Sequence, residues 1–300
     1  MAGQIPFVRD MDFDYGAVTE ISPLVRRVIA NNPGPFTFTG TGVYIVGRGS
    51  VAVIDPGPDT SEHFDALKKA LEGETVSHVL VTHHHMDHSP LAHPLAEWAG
   101  CKVYGKPAPR HEESAVQMDA GSDHGFKPHV ELNDGDVLEG PGWTLETIET
   151  PGHTSNHLCF GLKEENALFS GDHIMGWSTT VISPPDGDMR DYFESLDKVR
   201  ARSFDTLIPT HGPPITDDVD GFIGAYITHR RAREASILER LKAGDTTIPD
   251  MVKVIYADVD SRLHPAACHS VLGHMIHLVK DGHVSVTGSM NVSGTYTLTK

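Results

Sequence analysis

The sequence predicts a mixed α/β chain in two parts, on three observations. Short β-rich runs alternate with amphipathic helical stretches over most of the 300 residues. Some adjacent runs are joined by tight glycine turns, so hairpins accompany crossover connections. Finally, the segment "THGPPITDDVDG" separates the last of these β runs from a mainly helical tail. The boundary falls near Asp217, giving 1–216 and 217–300 as the expected domains.

Each element follows from local pattern. In "GVYIVGRGSVAVIDPGPD", Val43–Val46 and Val51–Ile54 flank Gly47-Arg48-Gly49 and read as a hairpin. "TSEHFDALKKALEG" has a polar start, apolar Phe64, Leu67 and Leu71, and a terminal glycine, the marks of a capped amphipathic helix. The strand "VSHVLVT", a helix over 91–99 and the strand "CKVYG" come next. Strand-like runs then recur at "DVLEG", "WTLETIET", "HLCFGL" and "ALFSGD", before the helix "MRDYFESLDKVRA" and the strand "DTLIPTHG". In the tail, a helix over 222–242, the run "TIPDMVKVIYADV", and a third helix with Pro265 in its first turn precede "HVSVTG" and "GTYTLTK". Three helices and a two-stranded wing make a winged-helix arrangement.

Composition narrows the function classes. The net charge of −17 opposes non-specific phosphate binding, and the first 216 residues carry 31 of the 41 acidic side chains but 15 of the 24 basic ones. The three cysteines, Cys101, Cys159 and Cys268, are far apart, which suggests neither a disulfide framework nor a thiolate metal knuckle. No apolar run is long enough to span a bilayer, and "MAGQIPFVRDMDFDYG" lacks the pattern of an export signal, so a cytoplasmic protein without a membrane partner is expected.

The chemistry is concentrated in "VLVTHHHMDHSPLAHP". His83, His85 and Asp87 alternate behind a strand, where residues two apart point to one side, and His88 adds a fourth donor. Imidazole and carboxylate bind Zn²⁺ at about 2.0–2.2 Å. Three distant strand ends add donors of the same kind, each beside a glycine: His153 in "ETPGHTSNH", Asp172 in "LFSGDHIMG" and His211 in "LIPTHGPP". Seven such donors at four strand ends point to a metal centre rather than a solvated turn. His84 is expected to face the scaffold, and His63, His78 and His93 to be structural.

These residues, together with Asp55 in "VIDPG", resemble the ordered motifs of the metallo-β-lactamase superfamily. The tail is similar to the winged-helix appendage of its lactamase-beta-2-like branch. The resemblance implies an αββα sandwich of the metallo-β-lactamase type with a small C-terminal winged-helix domain. It also implies two metal ions, one on His83, His85 and His153, the other on Asp87, His88 and His211, bridged by Asp172, with Asp55 bracing the metal loop. The chain departs from many relatives in "HSPLAHP" and "PGHTSNH" without losing a ligand. His157, in the second of these, is expected to support the ligands rather than act on substrate.

A binuclear zinc centre implies hydrolysis by a metal-bridging hydroxide, because coordination lowers the pKa of water from 15.7 to about 7. Asp87 would both ligate and orient that nucleophile. Iron or manganese is compatible with the same donors. The expected substrate is a small ester, thioester, lactone or lactam. The alternative is a metallo-endoribonuclease or phosphodiesterase acting on single-stranded RNA, for which "HRRAR" in the tail is the main feature. The near-zero charge of the tail weighs against it. A redox role is disfavoured, since di-iron redox relatives usually carry Glu where His85 stands. "GWSTTVISPPDGDM" offers Trp177 as a cleft wall or a core residue, and "DHGFKPH" is a candidate substrate loop. Oligomeric state is left open.

Overall fold

The computed structural model describes residues 5–109 and 121–299. Strands β1 (Val18–Glu20), β2 (Val25–Ile29), β3 (Gly42–Val46), β4 (Ser50–Ile54), β5 (Thr75–Leu80), β6 (Lys102–Gly105) and β7 (Val130–Glu131) form one sheet in sequence order. A second sheet holds β8 (Val137–Gly140), β9 (Trp143–Glu149), β10 (Leu158–Leu162), β11 (Ala167–Gly171) and β12 (Thr206–Pro209). The β3–β4 hairpin pairs antiparallel as its glycine turn demands, while β4, β5 and β6 run parallel through α1 (Ser61–Ala70) and α2 (Ala92–Ala99).

Strand alternation sorts the side chains into layers. Tyr44, Val46, Ala52, Ile54 and Leu80 face the second sheet and pack with Leu145, Leu158, Phe160, Phe169 and Ile208. Their neighbours Val43, Ile45, Val53 and Val79 face outward and are covered by Leu67, Leu71, Leu95 and Ala96 of α1 and α2. On the far side of the second sheet, Ile148, Cys159 and Leu168 meet Tyr192, Phe193, Leu196 and Val199 of α3 (Met189–Ala201). The result is the expected αββα sandwich.

Helix α4 (Val219–Lys242) serves two cores. Its first turns bury Val219, Phe222, Ile223 and Tyr226 against α3, and its last bury Ile237 and Leu241 with α5 (Ile248–Ile255), α6 (His264–Lys280) and the wing β13 (Val284–Thr287) and β14 (Thr295–Leu298). Two strands begin the first sheet ahead of the hairpin read from sequence. In β2 both Arg26 and Arg27 are buried: Arg26 pairs with Glu74 at 2.8 Å and Gly47 O at 3.0 Å, and Arg27 donates to Gly212 O at 3.4 Å. These partners are remote in sequence, so "VRRVI" carries no strand signal of its own.

Candidate metal centre

All seven predicted donors are buried in one cluster. Strand β5 ends at Leu80, so His83–His88 lie beyond it, and their convergence does not come from strand alternation as the sequence suggests. A tight turn assembles them instead: the amides of His88 and Ser89 both donate to His85 O, at 2.9 and 3.1 Å. The loop is pinned from outside by Asp123 N to His84 O at 2.7 Å and Met86 N to Gly121 O at 2.8 Å. The stretch "DHGFKPH" therefore buttresses the loop. Asp123 accepts from Ser89 Oγ at 3.0 Å and Phe126 enters the α1–α2 core.

The donor atoms face one another across short distances. His85 Nδ1 lies 2.9 Å from His83 Nε2 and 3.2 Å from His153 Nε2. Two nitrogens bound at about 2.05 Å to one tetrahedral ion stand roughly 3.3 Å apart, so this triad has the spacing of a cation site. A second group, Asp87, His88 and His211, also places its donors within 4.8 Å of one another. There Asp87 Oδ2 lies 3.0 Å from His211 Nε2 and 3.3 Å from His88 Nε2. Asp172 sits between the groups: Oδ1 is 3.4 Å from His211 Nε2 and 3.6 Å from His88 Nε2, while Oδ2 is 3.8 Å from His153 Nε2. Buried His88 Nε2, His211 Nε2 and Asp172 Oδ1 make no hydrogen bond. Orphaned acceptors in a dry cluster are costly unless a cation satisfies them, and hard carboxylates with imidazoles suit zinc, iron or manganese.

Hydrogen bonds fix the ring tautomers. Thr82 Oγ1 donates to Asp55 Oδ2 at 2.8 Å and can then accept from His83 Nδ1 at 3.0 Å. His88 Nδ1 donates to Asp55 Oδ2 at 2.9 Å, His153 Nδ1 to Val181 O at 2.6 Å, and His211 Nδ1 to Gly40 O at 3.2 Å. Each of these four rings thus turns an Nε2 lone pair inward. Asp55 also accepts from Thr82 N at 2.7 Å and Thr210 Oγ1 at 3.1 Å, so one carboxylate ties β4 to the segments after β5 and β12. Its φ of 50° is in the left-handed region, an uncommon conformation here held by those bonds. His157 braces Asp172: its Nδ1 bonds Thr150 Oγ1 at 2.8 Å, and its Nε2 accepts the amide of Asp172 at 3.2 Å. His84 faces the scaffold, donating from Nδ1 to Asn156 Oδ1 at 2.9 Å.

Electrostatics select the binding forms. Burial and neighbouring imidazoles hold His83 neutral, well below the usual histidine range. Burial alone would raise Asp87, but His88 and His211 hold it well below the usual carboxylate range, and Asp172 is lowered by the same neighbours. Burial opposes a charge on His88, yet Asp87, Asp55 and Asp172 raise it well above its ordinary value. Proton and cation therefore compete for His88 Nε2, and metal binding releases protons.

A small cleft opens on the cluster, lined by His85, Asp87, His153 and Asp172 together with Pro35, Phe36, Met175, Trp177, Ser178, Thr179 and Val181. Trp177 is a wall residue, stacked on Phe38 at 4.9 Å. From sequence Trp177 is readable as wall or core, and nothing there points to Pro35–Phe36, which also line the cleft. The sequence also leaves unmarked Thr82, Thr210 and the carbonyls of Gly40 and Val181, which orient the ligands. A backbone carbonyl leaves no residue-type signal, and single threonines leave little.

Residues 37–211 match the Metallo-beta-lactamase superfamily, and 247–293 match the Beta-lactamase associated winged helix domain. A "Beta-lactamase-like protein 2 homolog" of Caenorhabditis elegans is 35% identical, covering 89% of this chain and 88% of that protein. An "Atrochrysone carboxyl ACP thioesterase AgnL7" of Paecilomyces divaricatus is 30% identical over 89% of this chain and 83% of its own. A β-lactamase domain protein from Burkholderia ambifaria shares the fold, with a TM-score of 0.80 at 20% identity over 96% of this chain and 95% of its own. Metal-ligating residue types in the superfamily's order, gathered in the sandwich and followed by the winged helix, place the chain in one family: it belongs to the metallo-β-lactamase superfamily of hydrolases.

Proposed function

We propose that this protein is a two-zinc hydrolase of a small ester or thioester with an apolar acyl part, lactones and lactams being the chemically related extensions. The observation that carries this is the lining of the cleft. Around the donor cluster stand the apolar Pro35, Phe36, Met175, Trp177 and Val181 with the hydroxyl residues Ser178 and Thr179, and among the described lining residues there is no Lys or Arg to receive a phosphate or carboxylate. The thioesterase name of the Paecilomyces relative supports an acyl substrate.

His83, His85 and His153 would hold one ion, Asp87, His88 and His211 the other, and Asp172 would reach both. Ions bound there would make a hydroxide nucleophile available at neutral pH and supply Lewis acidity to the attacked carbonyl. The chain does the rest. Asp87 stays ionised, and its carboxylate would orient that nucleophile by accepting a hydrogen bond from it. Trp177 and Phe36 seat the acyl group and exclude bulk water. Substrate is expected to be a small molecule and not a nucleic acid or membrane.

The arginines of "HRRAR" offer little to RNA, because Arg230 is buried and the other two have partners within the protein. Arg230 donates to Thr180 O, Arg231 pairs with Glu234 at 3.1 Å and covers Phe193, and Arg233 lies over Tyr256. A panel of thioesters, lactones, β-lactams, phosphodiesters and single-stranded RNA, run on the wild type and His153→Ala, tests the reading. Turnover of apolar acyl thioesters or esters, lost in His153→Ala, is expected. Metal-dependent cleavage of RNA with no acyl hydrolysis would replace it by the nuclease reading.

A further inference from the structure

The buried face of α4 carries two charged residues, Arg230 and Glu234, where it passes from one core to the other. Glu234 is answered inside the C-terminal unit by His277 at 2.6 Å and Arg231 at 3.1 Å. Arg230 turns the other way. It is only 4% exposed, no carboxylate lies within 4 Å of it among the described residues, and its Nε is unpartnered. A cation buried without a counter-ion is unfavourable for folding alone, which directs attention to what it holds.

Arg230 Nη2 donates to Thr180 O. The Thr180 hydroxyl in turn bonds the carbonyls of Asp172 and His173, at 2.9 and 3.0 Å. The next residue, Val181, supplies the carbonyl that orients His153 at 2.6 Å. Two more residues of the C-terminal helices grip the same segment. Tyr226, one turn before Arg230, bonds Met175 O and Ser178 O, both at 2.6 Å. On α6, Gly273 lies so near Ile182 that a Cβ there would come within 3.1 Å of Ile182 O. Thus 172–182 bears a donor at one end, the His153-orienting carbonyl at the other and the wall residues Met175 and Trp177 between, all held from the C-terminal side.

We propose that Arg230 is a positioning residue for the metal centre: its guanidinium fixes the Thr180–Val181 backbone, and through it the settings of Asp172 and His153. Helix α4, which leads into the winged-helix domain, is thereby a structural part of the catalytic site. The proposal rests on the metallohydrolase reading, so the experiment separates the two. Metal affinity is measured by chelator competition, and ligand geometry by the visible spectrum of the Co²⁺-loaded protein, on the full chain.

Arg230→Met, which replaces the buried cation by an apolar chain, is expected to weaken binding roughly 10- to 100-fold, the usual effect of losing a ligand's supporting partner, and to alter the cobalt spectrum. Arg230→Lys should recover part of both, and kcat should fall more than KM rises. Glu234→Gln, one turn away, should match the wild type in affinity and spectrum. Thr180→Val, which removes the hydroxyl bond to Asp172, tests the same chain of contacts if Arg230→Met is insoluble. Wild-type affinity and spectrum in Arg230→Met, or in Thr180→Val in its place, would overturn the proposal. A wild-type chain that takes up no metal defeats the reading beneath it.

Discussion

Two buried clusters in this protein are built from the same residue types and have opposite character. Around Glu234, acid meets donor: Oε1 accepts from His277 Nδ1 at 2.6 Å and lies 3.5 Å from His274 Nδ1, while Oε2 meets Arg231. Around Asp87 and Asp172, the Nε2 atoms of four rings turn inward onto the carboxylates, because the outer nitrogens of His83, His88, His153 and His211 are already engaged with Thr82, Asp55, Val181 and Gly40. Among the described residues, three donor atoms converge within 4.8 Å only in this second setting. Histidine and carboxylate in contact therefore say little by themselves. The direction of the remaining lone pairs separates a structural ion pair from a metal centre.

Mutation tests that contrast most sharply. His85→Ala or Asp87→Ala should lower turnover by roughly a thousandfold or more while circular dichroism stays native, whereas His274→Ala should leave kcat near the wild type. Equal losses in all three would erase the distinction. Removing metal should be nearly as severe: activity disappears, and the melting temperature falls because ions present at about a thousand times their Kd add roughly 4 kcal/mol to the folded state. Full turnover in protein shown metal-free by elemental analysis would end the metallohydrolase reading.

A milder separation comes from Asp55→Asn, which keeps the shape but weakens the acceptor shared by Thr82, His88 and Thr210. Metal affinity should drop about 10- to 100-fold, as chelator competition would show; an unchanged affinity would reduce Asp55 to a folding role. The smallest effect belongs to the other cluster. Glu234→Gln should cost about 1–3 kcal/mol of stability in urea denaturation with turnover retained.

The same cluster sets part of the acid sensitivity. Burial would raise Glu234, but His274 and His277 bring it to about 2, and burial lowers His274 to about 4. Both folded values lie below the unfolded ones of about 4.3 and 6.5, so the unfolded chain binds the extra protons. Stability from these groups is complete above about pH 6.5, and is lost first as pH falls to about 4 and then to about 2. Urea midpoints across that range should flatten in a Glu234→Gln, His274→Ala double variant.

Much of the site was legible because metal chemistry restricts residue type. Four donors in "HHHMDH" and single donors after three distant strands stand out without a structure, and so does the hairpin that ends in Asp55. Less legible was the way they meet. The expected alternation behind β5 is replaced by a turn on His85 O, since strand pairing stops at Leu80. Trp177 is readable from sequence as wall or core, and its place in the cleft lining makes it wall. "HRRAR" resembled a cationic surface, yet Arg230 is buried against Thr180. A charge run in sequence does not reveal which face of its helix is covered.

By itself the sequence determined the periodic layers, the identity of the seven donors and the presence of a helical tail, because each is set by residue type at short spacing. The tertiary structure alone decided that β2 is a buried strand despite Arg26 and Arg27, since Glu74, Gly47 and Gly212 complete it from far along the chain. It also decided the ring tautomers, through carbonyls that every residue possesses, and the attachment of 172–182 to Tyr226 and Arg230. The physical reason is common to all three. Burial and hydrogen bonding are properties of pairs, and pairs distant in sequence are formed only when the sheets and helices pack.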